Sequence, residues 1–151
     1  DFLFFRKTTD SGKRKNIVIL SSTKIKIMKE KILMVLCLLF GLGMIVFGAN
    51  KLVPFMPMPE LTEQQKTLFG AFGTLKWIMP LVGVIEIIGG LLIAIPKTRA
   101  LGAIVILPVM GGIIAHHLTH DPAGIAIPAV FAVINLLAIA GSKDRYMAMV
   151  K

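Results

Sequence analysis

Cysteine is almost absent from this chain: Cys37 is the only one in 151 residues. An intramolecular disulfide and a Cys-x-x-Cys redox pair are therefore excluded. Charge is scarce as well, at 17% of residues, and it leans one way, with 17 Lys and Arg against 8 Asp and Glu. A soluble domain of this size carries about a quarter charged residues. Period-2 alternation is missing from the apolar stretches, which argues against a β-barrel. There is no self-sufficient catalytic motif and no cofactor-binding motif. Whether the chain is an enzyme is left open, and any oxidoreductase role would depend on a partner.

What the chain has in excess is apolar sequence, 56% of residues with a mean hydropathy of +0.82. It falls into blocks long enough for a hydrocarbon core about 30 Å thick, which takes roughly 20 helical residues. Four spans are predicted, at 32–53, 75–95, 99–118 and 123–141. Pro54 closes the first and Pro96 the second, and Pro122 opens the fourth, where a missing N–H costs nothing. The first block exceeds a signal-peptide core and three more follow it, so it reads as an uncleaved span. The expected fold is an all-α membrane protein, a four-transmembrane-helix bundle with a short interfacial helix between spans one and two. For that helix, Thr62-Glu-Gln-Gln65 has capping-box spacing after the stiff Pro54–Pro59 stretch. Leu68, Phe69 and Phe72 would lie along the interface, with Trp77 as an anchor.

The flanks are polar. Residues 1–31 hold nine Lys and Arg and form a basic cytoplasmic segment expected to be disordered, or non-native before Met28, where Lys-Glu-Lys leads directly into the first span. Residues 142–151 form a short cytoplasmic tail. With the N-terminus inside, inner segments hold 14 Lys and Arg and outer segments 3, so both termini are expected in the cytoplasm. This asymmetry accounts for the +9 charge without a nucleic-acid partner.

Glu86 is the most informative side chain, a carboxyl near the middle of span two, where such groups face a bundle interior. Its helical neighbours Gly83, Gly89 and Gly90 leave a face with little bulk, against which another helix can pack closely. Gly111-xxx-Ala115 is a second small-residue surface of this kind, consistent with packing between subunits. Asn135 in span four and the Ile104 carbonyl, freed by Pro108, are the expected partners of Glu86 at similar depth. This buried polar site reads either as interhelical glue or as a proton, quinone or small-solute contact. A second candidate lies on the outer rim, where His116, His117 and His120 end span three within reach of Lys51. Imidazoles one turn apart could bind a metal ion or haem iron, or pass protons; as interfacial polar residues they would do neither, and no metal site is assigned.

The chain resembles the DoxX family of small four-helix membrane proteins. The resemblance rests on Gly48-Ala-Asn-Lys51-Leu52, on Glu86-Ile-Ile-Gly89-Gly90-Leu91-Leu92, on Lys97-Thr-Arg99-Ala100 and on the histidines ending span three, and covers roughly residues 32–141. The founding type is linked to a thiosulfate:quinone oxidoreductase, and relatives are connected with membrane redox and thiol stress. The resemblance implies an inner-membrane protein in a lipid bilayer, with quinone as the implied cofactor and other membrane or redox subunits, or a second copy, as partners. The alternative is a non-enzymatic proton or small-solute pathway, or a membrane scaffold. Some relatives use paired cysteines, which this chain lacks.

Overall fold

The computed structural model describes the backbone of residues 2–57 and 60–150, with side chains for 19–57 and 60–148. Met58 and Pro59, part of the stiff stretch, and Lys151 of the orientation count lie outside the described residues. The elements are α1 (Phe2–Leu52), α2 (Glu63–Thr74), α3 (Ile78–Ala94), α4 (Arg99–His120), a 3₁₀ turn at Pro122–Gly124, α5 (Ala126–Gly141) and α6 (Lys143–Val150). No strand occurs among the described residues.

The chain divides into two compact units, Asp1–Leu33 and Met34–Lys151. The first is the beginning of α1, helical from Phe2 where a disordered segment is expected. No proline interrupts this stretch, and Gly12 is its single glycine. Side chains from Ile19 to Ile32 are exposed.

In the second unit, helix limits follow from local chemistry. The Thr62 hydroxyl accepts from Gln65 N at 3.3 Å, and the Gln65 side chain accepts from Thr62 N at 3.0 Å, closing the expected capping box at the start of α2. The chain then bends by 89° between α2 and α3, through a turn held by Ile78 N donating to Leu75 O at 2.9 Å. Two helical stretches have the length and hydropathy to cross a membrane, Ile19–Leu52 and Arg99–His120, and a third counts if α2 and α3 are taken as one bent span. Residues 75–77 and 123–125, expected inside spans two and four, form turns instead. That leaves α3 with 17 residues and α5 with 16, about 25 Å each at 1.5 Å per residue.

Close approach of backbones sets the packing. A Cβ placed on Gly48 would lie 2.6 Å from the Gly83 carbonyl, and one on Gly41 would lie 2.5 Å from the Gly90 carbonyl. The two contacts are seven residues apart on each helix and run in opposite directions, so α1 and α3 are antiparallel neighbours with glycines at successive crossings. Gly89 faces the other way, onto Ile106 of α4, and Gly102 of α4 abuts Ile93. On α5, Phe131 packs edge-on against Phe40 at 5.2 Å and lies over Gly43. Phe40, Met44, Ile93, Ala103, Ile106 and Ala138 belong to the buried core, together with Cys37, Met110 and Ile134. By contrast, Gly111, Gly112 and Ala115 are exposed, and a Cβ on either glycine would meet nothing within 4 Å.

Candidate functional site

The α1–α3 contact is close enough for side chains of opposite charge to meet inside it. Lys51, in the last turn of α1, donates from Nζ to both carboxyl oxygens of Glu86, at 2.9 Å to Oε1 and 2.7 Å to Oε2. The Glu86 side chain is 1% exposed and that of Lys51 27%. Gly48 and Gly83 lie one turn from Lys51 and Glu86 respectively, and their missing side chains let the two backbones approach. Both contacts are charge-assisted hydrogen bonds, and apolar helix surrounds most of the pair. Two of the three ammonium protons are used on Glu86, so one donor is left on the partly open side.

This arrangement redraws both sequence-predicted groups. Lys51, expected on the rim with the histidines, bonds to Glu86 instead. Glu86 takes its hydrogen bonds from Lys51 and not from Asn135, whose Nδ2 and Oδ1 are buried with no partner among the described residues. Depth explains the separation. Glu86 sits between the two glycine crossings, whereas Asn135 is one turn beyond Phe131, which places it about 9 Å nearer the α3–α4 turn. Ile104, whose carbonyl was the other expected partner, lies on an exposed part of α4. Of the three helix-packing glycines, Gly83 and Gly90 serve α1 and Gly89 serves α4.

The histidines end α4 at the same end of the bundle as Lys51 and the start of α3. His116 and His120 stack with centroids 5.6 Å apart and planes 13° from parallel, and His117 meets His116 edge-on at 5.3 Å. Phe69 of α2 lies 6.1 Å from the His116 ring, so α2 covers this rim. His117 Nδ1 is 3.2 Å from the Asp121 carboxyl, an i,i+4 contact that ties the ring to the helix end. Among the described residues, no group of three or more His, Cys, Asp and Glu is arranged to hold a metal ion.

Sequence reasoning missed the pairing of Lys51 with Glu86, although a signal was present. Gly41-x₆-Gly48 followed by Lys51 mirrors Gly83-x₂-Glu86-x₃-Gly90, and two glycine heptads of this kind fit one antiparallel crossing. It also missed the opposite end of the bundle, where α6 folds against the α3–α4 turn. Arg145 donates from Nη1 to the carbonyls of Pro96 at 2.8 Å and Lys97 at 2.9 Å, and the Tyr146 hydroxyl donates to Ala100 O at 2.8 Å. Burial pushes the Tyr146 phenol above its usual range, against opposing effects of Ser142 and Arg145, which favours its role as a donor.

A model of the DoxX-like family matches residues 35–138, a stretch that holds the lysine–glutamate pair, Asn135 and all three histidines but ends before α6. No curated protein matches the chain, and no solved structure does.

Proposed function

This chain belongs to the DoxX-like family, and we propose that it is a four-span accessory subunit of a quinone-linked or stress-related redox system in the bacterial inner membrane. In this reading α1, α3, α4 and α5 cross the bilayer and α2 lies along the interface, as its near-perpendicular bend from α3 suggests. The Lys and Arg asymmetry puts both termini in the cytoplasm. The histidine rim and Lys51 then face outward.

The carrying observation is the buried Lys51–Glu86 pair with one ammonium proton uncommitted. Intramembrane ion pairs are costly to place and mark sites where polar chemistry is needed. A quinone offers a flat apolar ring with carbonyl acceptors at its edge. The Lys51 ammonium would donate to one such carbonyl, while Glu86 holds the ammonium charged and oriented and apolar helix surrounds the ring. Reduction to the quinol takes two electrons and two protons. The electrons would come from a redox group on a partner subunit, since no cofactor-binding motif is visible in this sequence. The histidines at the same end are candidate proton donors.

Gentle extraction followed by native mass spectrometry and analysis of the bound lipids tests the reading. Quinone is expected on the native protein and absent from Glu86→Ala. Protein free of quinone and pigment, together with unchanged respiration in a deletion strain, would leave the non-enzymatic alternatives of a pathway or scaffold.

A further inference from the structure

The end of the bundle opposite the Lys51–Glu86 pair gathers positive charge that no carboxylate among the described residues pairs with. Lys97 and Arg99 belong to the α3–α4 turn, and Lys143 and Arg145 to the start of α6, more than 40 residues later in the chain. They are brought to one end by the bonds from Arg145 to the Pro96 and Lys97 carbonyls and from Tyr146 to Ala100. Arg99 leans onto the same helix end, with Nε 3.5 Å from the Ile93 carbonyl.

All the acceptors used by these two arginines are backbone carbonyls, which carry no net charge. Among the described residues of these two segments Asp144 is the only carboxylate, and neither it nor any of the four cations forms an ion pair. Lys97, Lys143 and Arg145 are exposed, and Arg99 Nη2 is sheltered without any acceptor. A sheltered guanidinium N–H group lacking a partner calls for one that is not part of the chain.

We propose that this end binds the phosphate of an anionic phospholipid headgroup, held between Lys97, Arg99, Lys143 and Arg145. The location selects the partner. The cluster lies where the apolar helices α3, α4 and α5 begin or end, which is the depth of the phosphate layer for a chain seated in a bilayer. Arginine suits a phosphate because its fork offers two parallel donors, and flanking lysines add point charge. Two of the four cations, Lys143 and Arg145, lie in α6, beyond the family-matched residues 35–138. The site is independent of the quinone reading.

The test uses the full chain in a neutral detergent, titrated with short-chain phosphatidylglycerol, phosphatidylcholine or inorganic phosphate. Thermal unfolding and native mass spectrometry report binding. Phosphatidylglycerol is expected to raise the unfolding temperature and remain bound, while the other two do neither at the same concentration. The double variant Lys97→Ala/Lys143→Ala removes two side chains that make no internal bond, and should need roughly 25-fold more phosphatidylglycerol, about fivefold per cation. Lys66→Ala, on α2 at the other end, should behave as wild type. Equal stabilisation by phosphatidylcholine or by free phosphate would overturn the proposal. So would an unchanged double variant, or an equal loss in Lys66→Ala. The contrast between lipids in the wild type decides the matter even if a variant folds poorly.

Discussion

Glu86 and Asn135 are both polar and both fully buried, on two helices of the same bundle. The first is met by a charged donor from a third helix, and the second has neither amide atom partnered. The difference follows from the price of burial. An isolated carboxylate in apolar surroundings is far more costly than an isolated amide, so the charge must bring its counter-charge with it. The amide can persist unsatisfied at a smaller penalty. What makes the pairing possible is the local lack of side chains at Gly48 and Gly83, which lets Lys51 reach over the helix contact.

Breaking the pair on one side should have the largest effect. Lys51→Met leaves a buried carboxyl without its only donors, and a loss of about 3–5 kcal/mol is expected. Glu86→Leu strands the ammonium instead and should cost somewhat less, because Lys51 is partly open to its surroundings. Joining the two substitutions should recover most of the loss, since a matched apolar pair carries no desolvation penalty. Thermal unfolding of the four proteins in one mild detergent measures this cycle. Losses that simply add would mean that the two side chains do not act as a pair.

Much of this was legible beforehand, though not the partnership itself. The apolar blocks predict the helices, and the glycines around Glu86 predict a close helix neighbour. Histidines, Lys51 and the start of α3 fall at one end, as helices that succeed one another antiparallel require. Periodicity says which face of a helix is special, but not which helix lies against it. Sequence depth alone pairs Glu86 with Asn135, and the packing of Phe131 on Gly43 shifts that depth by about two turns. Residues 75–77 and 123–125 adjoin long apolar runs, and hydropathy does not register the turns they make. The contact of Arg145 with the α3–α4 turn links residues 48 and 49 positions apart, and no local pattern encodes it.

The glycine crossings offer a second, smaller perturbation. Alanine at position 48 would put its Cβ 2.6 Å from the Gly83 carbonyl and 3.0 Å from the Glu86 Cβ, so the helices must separate just where the ion pair forms. A loss of about 1–3 kcal/mol is expected, as for other overpacked cores. Gly111→Ala is the control, because nothing lies within 4 Å of its added atom, and exchange of an exposed helical glycine for alanine should raise stability by up to about 1 kcal/mol. Equal effects at the two positions in thermal unfolding would remove the argument that close backbone approach supports the pair.

Asn135 should respond in the opposite direction. Its Nδ2 and Oδ1 lost their solvent partners on burial and gained none, and each such group costs free energy that an apolar side chain would not. Asn135→Leu keeps the branched outline with the same number of heavy atoms, though its methyl groups are bulkier than the amide, and removal of the orphaned polar atoms should raise stability by up to about 1 kcal/mol. Asn135→Ala separates two effects. It also removes the orphaned amide but leaves a void, and should fall below the leucine variant. A clear loss in Asn135→Leu would show that the amide has a partner in the membrane, such as a bound water or ligand. The contrast with Glu86 would then disappear, and both buried polar residues would belong to occupied sites.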